Sequence, residues 1–371
     1  MPKYRLVINI MILLGLLAGM HLVSGRLQRL TPPREAVLTT PANSSTSGDQ
    51  SSEPPAREQN PAGSGVTGQA VSGTVPGTNR NRLQPNELGK VMILEYHLIG
   101  DKEDRWERQY DNFRKDLERL YREGYRLISL VDYLRNSIRV PEGYTPVVLT
   151  FDDGSRGQFN YLEKDGQKVI DPRSAVGIIL DFAREHPDFG TAATFYTLYP
   201  PFGQARYWQE KVRFLVEHGM DIGNHTANHV NLAKLSAAEV AKEVGTPVKT
   251  IREVVPGYEV KTLALPYGLL PKDDAPVREG EFAGVPYRNL AILLVGAEPA
   301  LSVNDSRFNP YRLPRVQAIQ SELDRWLDYF ARHPEERYVS DGDASTITIP
   351  EKALARLNPR AAAGKTVKTY R

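Results

Sequence analysis

Two short segments of the sequence carry side chains that together can hold a catalytic metal ion. The apolar run 147–151 ends abruptly in two adjacent carboxylates, Asp152 and Asp153, and about seventy residues later two imidazoles, His225 and His229, stand four residues apart. One aspartate and two histidines can bind zinc and leave a position open for water. A second aspartate beside the metal can accept a proton from that water, so the pattern predicts a hydrolytic centre.

Each segment alone has an ordinary structural explanation. Paired carboxylates can be a helix N-cap with a solvated neighbour, and a lone pair of histidines four apart is more often packing or surface than metal. His225 and His229 share a face if this segment is helical, and they can also converge from a loop. The occurrence of both segments in one domain favours the metal site.

Strand and helix patterns alternate from Val91 onward, which predicts a parallel α/β sheet or barrel. The predicted strands are 91–97, 128–131, a strand ending at Asp153, 192–198, 260–265 and 290–295. The predicted helices are 112–124, 132–137, 175–185, 207–218, 236–253 and 321–333. Because α/β proteins keep their chemistry at strand ends, we expect Asp152 and Asp153 at the rim of the sheet.

Composition excludes several classes of site. The 371 residues include 47 basic and 45 acidic side chains, a formal net charge of +2, so no global field indicates a nucleic-acid partner. The chain has no cysteine, which excludes disulfides, thiolate nucleophiles and cysteine-bound metals. Histidine and carboxylate remain as the strong metal ligands.

The N-terminus predicts export. Lys3 and Arg5 precede an apolar run from Leu6 to Val23, which is typical of a signal peptide or an uncleaved signal anchor over residues 1–25. We therefore expect an extracytoplasmic protein, membrane-anchored or secreted, that contacts the membrane only through this segment.

The next segment, 26–89, is predicted to be a disordered linker. It is rich in Ser, Thr, Pro and Gly, and no aromatic residue occurs between Arg5 and Glu95. Such a segment cannot bury enough apolar area to offset its ordering entropy. A catalytic domain over 90–358 and a loose basic tail over 359–371 complete the predicted organisation.

Several motifs resemble one known family. The segments 150–154 (Thr-Phe-Asp-Asp-Gly) and 225–229 (His-Thr-Ala-Asn-His) are similar to the first two motifs of the polysaccharide deacetylase family (NodB homology domain, carbohydrate esterase family 4). The segment 265–268 (Leu-Pro-Tyr-Gly) is similar to the third motif, and 94–97 (Leu-Glu-Tyr-His) to the opening of extracellular members. The resemblance covers roughly residues 91–320.

This resemblance implies a distorted (β/α) barrel that carries a divalent metal, usually zinc, with cobalt or another divalent ion as an alternative. The implied reaction removes N- or O-acetyl groups from a polysaccharide such as peptidoglycan, chitin-like oligomers or exopolysaccharide. By motif position, Asp153, His225 and His229 would bind the metal and Asp152 would be the general base. The backbone N–H of Tyr267 would stabilise the oxyanion.

The chain departs from the family pattern at two places. The arginine that normally stands three residues before the motif tyrosine is replaced by Ala264, and Arg288, Arg312 or Arg315 is a candidate substitute. The family also supplies a histidine as general acid. His333 lies in a predicted helix without the expected context, so His97, at the end of the first strand, is the best candidate.

Other roles stay open at this point. Asn224 or Thr226 either orients the imidazoles or satisfies the turn, His97 is alternatively a packed or substrate-contacting residue, and Asp305 is a weak candidate for an acidic fourth motif. An N-deacetylase is the main hypothesis. An O-acetyl esterase and a pseudoenzyme that binds cell-wall polysaccharide are the alternatives.

Overall fold

The computed structural model describes residues 83–371, so the predicted signal or anchor (1–25) and most of the predicted linker lie outside the described residues. The strands are β1 (Met92–Tyr96), β2 (Leu98–Gly100), β3 (Glu107–Gln109), β4 (Tyr125–Leu127), β5 (Thr145–Asp153), β6 (Tyr161–Lys164), β7 (Gln167–Ile170), β8 (Thr194–Thr197), β9 (Asp221–Asn224), β10 (Thr262–Ala264), β11 (Glu279–Phe282), β12 (Val285–Arg288), β13 (Ala291–Leu293), β14 (Val316–Gln317), β15 (Thr346–Pro350) and β16 (Thr366–Tyr370). The α-helices are α1 (Tyr110–Arg122), α2 (Leu130–Leu134), α3 (Ala175–Glu185), α4 (Trp208–Glu217), α5 (Ala237–Val254), α6 (Ala275–Arg278), α7 (Gln320–Arg332) and α8 (Pro359–Ala362).

The central sheet has the strand order β13-β10-β9-β8-β5-β1-β14, and every neighbouring pair is parallel. The two ends of this order meet, because Leu313, just before β14, pairs with Leu293 of β13. The Leu313 N–H donates to the Ile292 carbonyl at 3.0 Å, and the Leu294 N–H donates to the Leu313 carbonyl at 2.9 Å. The sheet thus closes into a distorted barrel, which confirms the predicted α/β barrel.

Side chains of the strands alternate between the inside of the barrel and the surrounding helices. Ile93 and Val148 belong to the interior cluster, whereas Met92 and Leu94 pack in the outer cluster with Phe113 of α1. Because both faces are buried, the strands are apolar almost throughout. Polar residues on the inward positions are therefore exceptions that need a reason.

The helices begin where the sequence provides caps. The Ser174 hydroxyl accepts a hydrogen bond from the Gly177 N–H at 3.2 Å at the start of α3. Ser236, the predicted N-cap of α5, forms a capping box with Glu239. Among residues 83–371, no helix is both long enough and apolar enough to cross a membrane.

Some local predictions are wrong. The strand expected at 128–131 lies earlier, as β4, and residues 130–134 form α2, because the Ser129 hydroxyl caps that helix by accepting from the Asp132 N–H at 2.9 Å. The end of the chain is not loose, since β16 pairs in parallel with β15. Residues 86–89, placed in the linker from sequence, are also packed: Asn86 bridges to Val339, and Leu88 is buried.

Candidate metal centre and catalytic groups

The predicted site residues come together at the carboxyl ends of the barrel strands. Asp152 and Asp153 end β5, His225 follows β9, and His97 follows β1. Strand alternation alone would point two adjacent aspartates in opposite directions. Asp153 instead adopts a left-handed backbone conformation with φ 76°, which turns the chain at this point of the rim.

Three side chains form a set that fits one metal ion. The Asp153 Oδ1 lies 3.4 Å from His225 Nε2 and 3.6 Å from His229 Nε2. Ligand atoms bonded to zinc at about 2.1 Å in a tetrahedral arrangement are separated by about 3.4 Å, so the observed distances match. The site thus offers the oxygen and two nitrogens expected of a catalytic centre, and the three side chains predicted as metal ligands do converge.

A backbone carbonyl orients the first of these histidines. The His225 Nδ1 lies 2.9 Å from the Ala264 carbonyl, so Nδ1 carries a hydrogen, and Nε2, the ring nitrogen that faces Asp153, is the one available to a metal ion. Sequence reasoning missed this contact. Ala264, noted only for the arginine it replaces, supplies it through its main chain.

The two histidines are held by a turn and not by a helix. Thr226 and His229 have left-handed φ values of 66° and 51°. Asn224 accepts from the Thr226 N–H at 2.8 Å and donates to the Val244 carbonyl at 2.7 Å, and the Thr226 hydroxyl accepts from the His229 N–H at 3.1 Å. Asn224 and Thr226 therefore supply hydrogen bonds that hold the turn. This is the structural one of the two roles considered for these residues.

The negative charges of the two aspartates favour a cation at the rim of the barrel. Burial opposes protonation of His225, but Asp153 and Asp152 outweigh it and raise the pKa of this imidazole. Burial and the neighbouring His225 lower the pKa of His229. Burial alone would raise the pKa of Asp153, but the hydrogen bond and the charge of His225 lower it overall.

Asp152 is paired with Arg315 inside the barrel. Arg315 Nη1 donates to Oδ1 and Nη2 donates to Oδ2, both at 2.7 Å, and the arginine is fully buried at 0% exposure. Burial alone would raise the pKa of Asp152, but the charge and hydrogen bonds of Arg315 hold it well below its usual range. Asp152 is therefore an ionised carboxylate beside the metal ligands.

Arg315 is thus the one of the three candidate arginines that reaches Asp152. Arg288 lies in β12 with its side chain 76% exposed, 3.7 Å from Glu279. Arg312 is exposed, in a 3-10 turn over 310–312.

His97 lies beside this pair, together with a carboxylate that sequence reasoning missed. Donor atoms of Glu95, His97 and Asp152 lie within 4.8 Å of one another. Glu95 is buried, accepts from the Gly296 N–H at 2.6 Å and lies 3.2 Å from Arg315 Nη2. Burial raises the pKa of Glu95 even though Arg315 opposes that shift. Glu95 could have been found from the sequence by its position two residues before His97, because that spacing in a strand places both side chains on the inward face of the barrel.

Tyr267 borders the metal ligands on the other side. Its ring centroid is 4.9 Å from that of His229, its backbone φ is 61° within the turn 266–268, and its side chain is 60% exposed. The oxyanion role of its N–H remains a prediction. His333 instead packs against the Tyr329 ring and lies 3.5 Å from Glu335, consistent with its exclusion from the site.

Asp305 serves a structural role. Its buried carboxylate accepts hydrogen bonds from Arg307 and Arg356. Within residues 83–371 no contact joins it to the cluster around Asp152, so it does not act as a fourth motif there.

Comparison with known proteins supports the family resemblance. Residues 139–285 match the family model for polysaccharide deacetylases. A chitooligosaccharide deacetylase of Sinorhizobium fredii is 29% identical over 143 residues, which are 38% of this chain and 56% of that protein. The chain thus spans little more than half the length of this relative.

Two solved structures are also similar. The deacetylase PplD of Streptococcus pyogenes, in complex with acetate, has a TM-score of 0.49 and 18% identity, covering 64% of this chain and 97% of that chain. IcaB from Ammonifex degensii has a TM-score of 0.47 and 18% identity, covering 65% and 97%. The family match contains Asp152 and all three metal-ligand candidates, whereas His97 and Arg315 lie outside it. Residues 139–285 therefore match the model of the polysaccharide deacetylase family, the family that the two leading motifs indicated.

Proposed function

We propose that the protein is a metal-dependent hydrolase that removes acetyl groups, principally N-acetyl groups, from an extracytoplasmic polysaccharide. One observation carries the proposal: Asp153, His225 and His229 converge next to Asp152, which Arg315 keeps ionised. Peptidoglycan, chitin-like oligomers and exopolysaccharide are the proposed substrates. The family match and the chitooligosaccharide deacetylase relative support this choice.

The side chains divide the chemistry. A divalent cation, zinc or alternatively cobalt, would be held by Asp153, His225 and His229, and would acidify water and polarise the acetyl carbonyl. Asp152 accepts the proton of the water that attacks the acetyl carbon. The Tyr267 N–H donates to the oxygen that becomes negative.

His97 completes the reaction as general acid. When the C–N bond breaks, the leaving nitrogen takes a proton from His97 and departs as the amine, while the acetyl group leaves as acetate. The imidazole lies in the same cluster as Asp152, so acid and base face one reaction centre. Amide cleavage needs this proton because an amide anion is a poor leaving group.

An O-acetyl esterase is the alternative that shares this machinery. A sugar alkoxide is expelled more easily than an amine, so a weaker acid suffices. Relative rates of acetate release from ester and amide substrates separate the two activities. The alternative of a protein that only binds polysaccharide was suggested by two departures from the family pattern, Ala264 in place of the arginine and the unassigned general acid. Arg315 is a candidate for the missing arginine, and His97 is a candidate for the missing acid.

The location is proposed from the N-terminus. Lys3, Arg5 and the apolar run Leu6–Val23 support export, and the polar segment that follows supports a tethered or secreted catalytic domain. Cell fractionation of the full-length protein tests this part. Recovery in the soluble cytoplasmic fraction would contradict it.

The test of the activity measures acetate release and bound metal together. The purified protein, loaded with zinc or cobalt, is incubated with acetylated chitin oligomers, peptidoglycan fragments and a simple acetate ester. We expect metal-dependent release of acetate. Protein with the metal bound that releases none from any substrate would overturn the proposal.

Two variants check the division of labour. Asp152→Asn removes the proton acceptor and leaves the ligand set, so we expect turnover to fall by about 100-fold or more with metal retained. His225→Ala removes a ligand, so we expect loss of both metal and activity. Unchanged turnover in Asp152→Asn would contradict the role of this carboxylate.

A further inference from the structure

The loop after β5 places one neutral side chain between the proposed acid and the proposed base. β1 and β5 pair in parallel up to Tyr96 and Phe151, so the next residues along the two strands are His97 and Asp152. The regular ladder ends at this point. The spacing of the two catalytic groups therefore depends on what lies between the strand ends.

Gln158 occupies this position. Its Nε2 donates to the His97 carbonyl at 2.7 Å and to the Asp152 carbonyl at 2.5 Å. A side-chain amide has two N–H hydrogens, so one group satisfies both strand ends. Gln158 is fully buried at 0% exposure, and its Oε1 has no hydrogen-bond partner among residues 83–371. Both contacts that fix the amide are thus contacts to catalytic residues.

The backbone around Gln158 leaves little freedom to move. A Cβ at Gly157 would lie 1.7 Å from the Ile99 carbonyl oxygen, so only glycine allows this approach to β2. The Gln158 carbonyl accepts from the Val176 N–H at 3.0 Å, and the Gly157 carbonyl accepts from the Ala175 N–H at 3.0 Å. The first turn of α3 and β2 therefore hold the glutamine at the strand ends.

We propose that Gln158 is a positioning residue that sets the separation and orientation of His97 and Asp152. The proposal rests on the deacetylase function proposed above. Without the amide, the His97 and Asp152 carbonyls lose this donor, and the ends of β1 and β5 are free to shift. A neutral amide does this without adding charge beside Glu95 and Arg315. Small displacements of reacting groups can slow a reaction by about 100-fold.

The test compares substrates that differ in their need for an acid. In Gln158→Met we expect kcat for acetylated chitin oligomers to fall by about 10- to 100-fold, with KM within about twofold and metal content unchanged. 4-Nitrophenyl acetate expels its leaving group without protonation. We expect the rate of its hydrolysis to fall by a factor at least about 10-fold smaller than the fall in kcat for the oligomers. The reason is that this substrate needs only the base, so misplacing the acid does not slow its hydrolysis.

A matched control is Gln204→Met. Gln204 also donates to a backbone carbonyl, that of Tyr161 at the start of β6, at 2.9 Å, but it contacts neither catalytic residue. We expect the amide-to-ester ratio of Gln204→Met to equal that of the wild type. Should Gln158→Met fail to fold, Gln158→Glu keeps the side-chain length and gives the same comparison, because a carboxyl group offers at most one hydrogen to the two carbonyls.

The outcomes separate this proposal from the one it rests on. Metal-loaded wild type that releases no acetate overturns the function and this role with it. If the wild type is active and the Gln158 variants keep its amide-to-ester ratio, the positioning role alone is overturned. The positioning role is likewise overturned if both rates fall equally and metal is lost, because that result indicates a general structural role.

Discussion

Arg315 connects the charges on which the candidate site depends. It lies 163 positions along the chain from Asp152, yet its two terminal nitrogens meet both oxygens of that carboxylate. Its remaining donor, Nε, is satisfied by the Leu294 carbonyl at 2.8 Å. Glu95 lies beside the same guanidinium, so one cation faces two buried carboxylates.

Replacing this arginine should affect both rate and stability. In Arg315→Met, the largest opposition to the effect of burial is lost, so the pKa of Asp152 rises from its depressed value. The acid limb of the pH–rate profile should move to higher pH, and activity at neutral pH should fall by about 100-fold. Two unpaired buried carboxylates should lower the free energy of unfolding by about 3–5 kcal/mol. Kinetics across pH and urea unfolding measure these effects.

The control for this variant is Arg312→Met. Arg312 is exposed three residues earlier in the chain, so we expect its loss to change neither the pH profile nor stability by more than about 0.5 kcal/mol. An acid limb in Arg315→Met that matches the wild type would contradict the pairing.

At this level the sequence identified residues well when they were neighbours in a motif. Asp152, Asp153, His225 and His229 follow from two short segments. Arg315 could be offered only as one of three arginines, because its partner is fixed by barrel closure. Glu95 and Gln158 were missed for the same reason: each is an ordinary polar residue until the strand ends of β1 and β5 are brought together.

Among the elements, β9 shows how a strand is fitted to the site it carries. A Cβ on Gly223 would lie 2.3 Å from the Tyr196 ring, on the inner side of the barrel. Tyr196 in turn lies under Arg315, with 5.8 Å between the guanidinium and the ring centroid. Glycine in β9 therefore makes room for the aromatic ring below the Asp152–Arg315 pair.

A methyl group at this position should disturb fold and site together. For Gly223→Ala we expect a loss of about 1–3 kcal/mol in the free energy of unfolding, since neither the strand nor the ring can move freely. We also expect weaker metal binding, because β9 leads directly into His225. Chemical denaturation and metal titration measure the two effects.

Gly219→Ala provides the comparison. Gly219 has φ 73° and nothing within 4 Å of its would-be Cβ, so its substitution should cost only about 1 kcal/mol and leave metal affinity unchanged. Equal losses of stability and equal metal affinities in the two alanine variants would contradict the role given to the contact between position 223 and the Tyr196 ring.

Element prediction succeeded where apolar periodicity was strong. The barrel strands β1, β5, β8, β10 and β13 and the helices α1, α3, α4, α5 and α7 lie where the sequence placed them, whereas β9 and β14 were not predicted as strands. The hairpins β6–β7 and β11–β12 were not predicted, because their strands are short and largely polar. The β15–β16 pair was missed because the basic end of the chain gives no burial signal by itself, and β16 is ordered by its partner strand.

At the scale of the whole molecule, one buried lysine connects two loops at the rim of the barrel. Lys211 of α4 is fully buried and donates to the Phe159 carbonyl at 2.7 Å and to the Phe202 carbonyl at 3.1 Å. These carbonyls belong to the loops that follow β5 and β8. Burial lowers the pKa of Lys211 from 10.5 to about 7.

This shift makes the stability of the protein depend on pH. Between pH 7 and 10.5 the unfolded chain keeps a proton that folded Lys211 has largely released, so raising the pH favours the folded state. Relative to Lys211→Met, the wild type should gain free energy of unfolding across this window, by at most about 1.4 kcal/mol per pH unit. Below pH 7 the difference between the two proteins should be constant.

Urea unfolding at several pH values between 6 and 10 measures this difference, with Lys249→Met as the matched control. The Lys249 side chain is 47% exposed on α5, so its loss should give no pH-dependent difference in the same window. Because Lys211 ties the loops at the rim, Lys211→Met should also reduce turnover more than Lys249→Met does. A difference between wild type and Lys211→Met that stays flat from pH 7 to 10 would mean that the folded protein keeps this lysine charged, and the assigned pKa would then be wrong.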